Sequence, residues 1–122
     1  NSSNKIRIEL HATDVERLDN SLEVSLYRVC HEWINNILKY NNATIININI
    51  VQHETELSLI VEDNGEGFDT TQLEKSQGNG WRNMQSRVQL YKGSLFVEST
   101  PGRKGTSLVI EVPLVLTQLK VA

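Results

Sequence analysis

Four stretches alternate apolar with polar residues and so constrain the fold most. They are Ile6, Ile8 and Leu10; Ile46, Ile48 and Ile50; Leu57, Leu59 and Val61; and Leu108, Ile110 and Val112. A period of two places such residues on one face of a pleated strand, and that face must be covered. The pattern predicts strands over 5–10, 44–51, 57–62 and 106–113, with a further strand over 95–99. The polar segments 52–55 and 100–105 read as turns closing two antiparallel hairpins.

Two segments supply the cover. Leu22, Leu26, Val29, Trp33 and Ile37 recur at three and four residues, with Cys30, Ile34 and Leu38 widening the stripe. This predicts an amphipathic helix from Ser21 to near Asn41-Asn42, both plausible stop residues. Trp81, Met84, Val88 and Tyr91 repeat the period until Gly93. The segment between residues 13 and 20 reads as a loop or a short helical turn, and 69–77 as a polar lid without strong period. The fold class expected is a two-layer α/β (α+β) sandwich, a mixed, mainly antiparallel sheet with helices on one face. At 122 residues the chain forms a single domain. The tail from Leu114 has no evident partner.

Composition narrows the function. A net charge of −3 gives no global field for nucleic acid, so any phosphate must be held by local geometry and individual cations. Cys30 is the single cysteine, which excludes an intramolecular disulfide, and no apolar run approaches membrane length. These features are those of cytosolic material. An opening Asn1 in place of Met is expected of a piece of a longer protein.

Three segments have the build of ligand contacts. Glu62-Asp63-Asn64-Gly65-Glu66-Gly67-Phe68-Asp69 ends a strand abruptly, and its glycines permit close backbone approach; by itself it also reads as a tight acidic turn. On the first helix, Arg28, Glu32, Asn35, Asn36 and Lys39 share one sector at about 100° per residue. A solvated face with Arg28-Glu32 as an (i, i+4) pair would explain the charges. It would not explain adjacent asparagines, which are poor helix formers. Gly78-Asn79-Gly80-Trp81 opens the second helix, where free amide groups and the helix dipole favour an anion, and Arg82 and Arg87 add positive charge nearby. His31-Glu32-Trp33-Ile34-Asn35 begins like a zinc-protease helix, but Asn35 stands where the second histidine would be, and His11 and His53 lie elsewhere.

Taken together, these segments resemble the ATP-binding domain of sensor histidine kinases, a branch of the Bergerat-fold (GHKL) ATPases. The resemblance runs from about Lys5 to Leu114. Its N box is similar to His31–Tyr40, its G1 box to Asp63–Asp69, and its G2 region to Gly78–Met84, with Gly105-Thr106 in the last hairpin. The short interval from Phe68 to Gly78 and the spelling Glu32-x-x-x-Asn36 resemble the nitrate-sensor-like branch.

The resemblance implies ATP and Mg²⁺ as cofactors. It implies that Asp63 accepts a hydrogen bond from the adenine amino group with support from Thr106. Gly65 and Gly67 would let the backbone pass close to nucleotide, and Gly78, Asn79, Gly80 and Trp81 would form the lid hinge and phosphate amides. Asn36 would ligate Mg²⁺, beside Asn35 in the ATP site. Glu32 would orient water or act as a base, and Lys39 and Tyr40 would reach phosphate oxygens. Glu32, Asn36 and Lys39 are the catalytic set so implied.

His31 stands where the family most often has glutamine, and Trp81 where it has leucine. No helical hairpin with a phosphoacceptor histidine is visible, and His31 reads as structural. The chain is therefore expected to bind ATP without autophosphorylating alone, to be monomeric by itself, and to serve a homodimeric parent kinase. The partners implied are that parent's histidine-bearing dimerisation domain and a downstream response regulator, with no nucleic acid. The location implied is a cytoplasmic domain of a bacterial inner-membrane sensor. Alternatives are an anti-sigma-type serine kinase, disfavoured by the Gly78-Asn79-Gly80-Trp81 spelling, and a nucleotide-binding regulatory module without kinase activity.

Overall fold

The computed structural model describes residues 6–13, 15, 18–75 and 80–114, with 37–40 as backbone only. The elements follow in the order β1 (Arg7–Thr13), α1 (Asn20–Tyr40), β2 (Ile45–Gln52), β3 (Glu56–Asp63), α2 (Gln72–Lys75), α3 (Gly80–Leu90), β4 (Ser94–Glu98) and β5 (Thr106–Pro113). The five strands form one sheet in the order β1-β2-β3-β5-β4. β1 runs parallel to β2, and the other neighbours are antiparallel. The mixed, mainly antiparallel sheet expected from the pattern is the sheet observed.

Both hairpins form, but the second lies reversed, so β5 and not β4 sits beside β3. That choice buries the more apolar strand centrally: Leu108, Ile110 and Val112 of β5 are at most 1% exposed. β1 is longer than its alternation implies. It reaches Thr13, which pairs with Val51, because backbone pairing continues after the apolar period has stopped.

Register puts Ile48, Val61 and Leu108 in one row and Ile50, Leu59 and Ile110 in the next, with Ile46 opposite Asp63. This face packs under Leu22, Leu26, Val29 and Trp33 of α1 and under Trp81, Met84 and Val88 of α3. Each fully buried side chain of this size contributes roughly 1.5–3 kcal/mol. Trp33 is the largest, with ring centroids 6.4 Å from Trp81 and 6.1 Å from Phe68. The opposite sheet face has no helix over it among the described residues, and Phe96 there is exposed.

Helix ends follow local chemistry. Asp19 accepts hydrogen bonds from the Ser21 amide and hydroxyl at the start of α1. At its end Asn42 takes a left-handed φ of 51°, a conformation asparagine tolerates. After α3 the left-handed residue is Lys92, not Gly93, and the Gly93 amide closes back onto the Val88 carbonyl. Leu114 is buried, and its amide donates to the Thr55 carbonyl, so the tail does have a partner at its first residue. The residues after it lie outside the described ones.

Candidate functional site

The end of β3, the end of α1 and the β4–β5 turn meet around one side chain, Asn41. It is 1% exposed. Its Nδ2 donates to Asp63 Oδ1 at 3.0 Å and to Thr106 Oγ1 at 3.3 Å, and its Oδ1 accepts from the Gly67 amide at 2.9 Å. Its backbone carbonyl accepts from the Glu66 amide. The network continues outward, since Thr106 Oγ1 lies 2.7 Å from Ser99 Oγ, which accepts from the Phe68 amide. Sequence reasoning treats Asn41 as a helix stop only. Nothing in its own neighbourhood signals full burial, because its partners lie 22 and 65 residues away.

Asp63 is the acidic member of this network. It is 8% exposed, and Oδ1 accepts from the Gly65 amide at 2.7 Å as well as from Asn41. Oδ2 is buried with no partner. Burial raises the carboxyl above the usual aspartate value, and the hydrogen bonds from Gly65 and Asn41 offset this only in part. A buried carboxylate oxygen without a donor is costly, so it fits a ligand that brings an N–H to it. Thr106 is its register partner on β5 and is also buried. An adenine amino group has the donor chemistry that this acceptor lacks.

The glycines of the loop have reasons within the chain itself. A Cβ on Gly65 would stand 2.4 Å from the Asn41 carbonyl oxygen. One on Gly67, where φ is +81°, would stand 2.3 Å from the Thr100 carbonyl oxygen and 2.4 Å from that of Arg103. The loop is thus wedged between α1 and the last turn, and only glycine lets those backbones approach. Gly105 seals the arrangement by donating to the Gly65 carbonyl at 2.7 Å.

The second part of the candidate site lies where α1 passes the start of α3. A Cβ on Gly80 would meet Glu32 Oε2 at 2.6 Å, so the Glu32 carboxylate rests against the opening of α3. That position is favourable for a negative group, because amide N–H groups there have no helical partner. Glu32 and Asn36 are half-buried and Asn35 is exposed. The Arg28-Glu32 ion pair that a merely solvated face would offer is not formed among the described residues. Trp81 is buried against Trp33 and belongs to the core. Arg87 lies seven residues beyond Gly80, about 10 Å along the helix, and so is removed from its opening. Gly78, Asn79 and the side chains of Lys39 and Tyr40 lie outside the described residues.

Among the described residues no group of three or more His, Cys, Asp or Glu could hold a metal. Asn36 offers one neutral oxygen, which fits a hard cation that keeps water and takes further oxygens from a phosphate ligand.

A family model described as "Histidine kinase-, DNA gyrase B-, and HSP90-like ATPase" matches residues 21–116. The chain is 32% identical over 105 residues to the signal transduction histidine-protein kinase/phosphatase DegS of Brevibacillus brevis, a match covering 85% of this chain and 26% of that protein. It therefore spans about a quarter of that relative. Among solved structures, the histidine kinase domain of the Erythrobacter litoralis EL346 blue-light-activated kinase superposes with a TM-score of 0.75 at 19% identity, over 92% of this chain and 53% of that one. Full-length ShkA, solved in complex with AMPPNP, superposes with a TM-score of 0.76 at 14% identity, over 99% and 27%. At such identities the superpositions speak for the fold alone. From the matched residues it follows that the chain belongs to the histidine kinase-, DNA gyrase B- and HSP90-like ATPase family, as an ATP-binding domain of the type found in sensor histidine kinases.

Proposed function

We propose that the chain binds Mg-ATP and donates the γ-phosphoryl group to a histidine on a separate dimerisation domain of its parent sensor kinase, in two-component signal transduction. The observation that carries most weight is Asp63, whose Oδ2 is buried without a donor while Oδ1 is fully engaged. In this reading Asp63 selects the adenine edge, with Thr106 beside it, and Asn41 holds both in place. Gly65 and Gly67 keep the loop closed behind the base.

Bound Mg-ATP would supply the activated phosphoryl group with part of its charge neutralised. The chain's own residues then position and screen. Asn36, with Asn35 next to it, would hold the cation through its amide oxygen. Glu32 would orient a water or take a proton from the acceptor, and the opening of α3 at Gly80, with Gly78, Asn79 and Trp81 around it, would receive phosphate oxygens. Lys39 and Tyr40 would add donors to the same oxygens. Binding of a phosphate there requires Glu32 to yield the helix opening it now rests against. The interval from Phe68 to Gly78 and the Glu32-x-x-x-Asn36 spelling support placement in the nitrate-sensor-like branch. A response regulator would be the next phosphoryl acceptor, and the parent would be a dimeric, membrane-bound bacterial sensor with this domain in the cytoplasm.

Calorimetric titration with a non-hydrolysable ATP analogue, with and without Mg²⁺, tests the reading. Saturable binding whose Mg²⁺ dependence disappears in Asn36→Ala is expected. Binding that ignores Mg²⁺ in the unmodified chain would remove Asn36 from the metal's coordination.

A further inference from the structure

α1 and α3 lie side by side, and on their outer surface they leave a cleft of about 200 Å³ whose lining, Glu32 apart, the nucleotide reading does not use. Arg28 enters it from α1 and Arg87 from α3, with Met84 among its lining residues. Neither arginine makes an ion pair or hydrogen bond among the described residues. The cleft sets two guanidinium groups against one carboxylate, Glu32, so it keeps an excess of positive charge that an incoming anion offsets. Glu32 sits on the same cleft but is committed to the opening of α3, and His31 and Tyr27 stack with centroids 5.9 Å apart.

The surroundings are apolar on both helices. Tyr27 is 68% exposed, Val24 one turn before it is 48% exposed, and Leu90 one turn beyond Arg87 is 75% exposed. Tyrosine and arginine with exposed aliphatic neighbours are the composition of a protein-binding hot spot, not of a small-ion site. We propose that the α1–α3 groove is a docking surface for an acidic amphipathic segment of a protein partner. Its carboxylates would engage Arg28 and Arg87, and its apolar residues would cover Tyr27, Val24 and Leu90. Arginine suits this task because its planar fork can take a carboxylate by two parallel bonds. Glu32 is the one lining residue shared with the proposed nucleotide contacts, so docking there leaves the base position around Asp63 free.

The test is NMR titration of the whole chain with a synthetic amphipathic peptide of Glu and Leu at helical spacing. The Arg28 and Arg87 Nε–H signals and the Tyr27 ring are followed, and a Gln-for-Glu peptide and inorganic phosphate serve as separate titrants. Selective, saturable shifts at these residues with the Glu peptide are expected, at least tenfold weaker with the Gln peptide. They should also be at least tenfold weaker in Arg28→Gln/Arg87→Gln, whose thermal unfolding and ATP-analogue binding should match the unmodified chain. Absence of shifts at these residues would overturn the proposal, as would equal binding of the Gln peptide or undiminished binding to the double variant. Equal shifts from phosphate alone would replace it with a small-anion site.

Discussion

Asp63→Asn should push stability and ligand affinity in opposite directions. The amide keeps an acceptor oxygen for the Gly65 amide and Asn41 Nδ2, so the network survives, whereas alanine would orphan both donors. What asparagine removes is a buried charge whose second oxygen has no partner. Because burial raises the folded-state value, the ionised carboxylate opposes folding. Below the unfolded value both states are protonated and the wild type suffers no loss. As pH rises from there through the raised folded value, the wild type loses stability and the asparagine variant does not. The difference in unfolding free energy should thus widen across that interval and stay constant above it. Each kcal/mol corresponds to roughly 4 °C in Tm for a chain of this size. For adenine the effect reverses, since a hydrogen bond to a charged acceptor contributes about 1.5–3 kcal/mol, or roughly 10- to 150-fold in Kd. Thermal unfolding from pH 3 to 8 and calorimetry with an ATP analogue measure both. A variant that melts lower than wild type at pH 8, or binds within twofold of it, would refute the reasoning.

Asn41→Leu removes every side-chain bond of the hub and should destabilise by about 2–5 kcal/mol in urea unfolding, more than the loss of one exposed amide could explain. Gly80→Ala meets only the far end of a flexible carboxylate, so stability should stay within about 1 kcal/mol, while Gly65→Ala, facing backbone, should cost more than that. Cys30 is half-buried and its thiol is pushed up to about 11, so reaction with a disulfide reagent at pH 8 should be far slower in the folded chain than in urea.

The elements were legible because each has its own period: Leu108, Ile110 and Val112 read as a strand without reference to anything else. Strand order was not, since whether β4 or β5 meets β3 depends on which apolar face is better covered, a property of the packed sheet. The site divides the same way. Asp63, Gly65 and Gly67 stand together in the chain and could be read as a loop with a purpose. Asn41 stands apart from all three, and its importance comes from burial that no local pattern encodes. Trp81 shows the converse: its place beside Gly80 draws attention to the opening of α3, while its indole fills the core against Trp33, a role read from its helical period.

Thr106 opens the last strand, 65 residues after Asn41, and the hydrogen bond between them completes the network around Asp63. On the ribosome, therefore, the nucleotide site proposed there cannot form until nearly the whole domain has been synthesised and β5 has inserted between β3 and β4. A ligand held there cannot stabilise a partly built chain, and in the finished one it should slow amide exchange across β3 and β5 together rather than in the loop alone. Occupancy thus reports on completion of the fold.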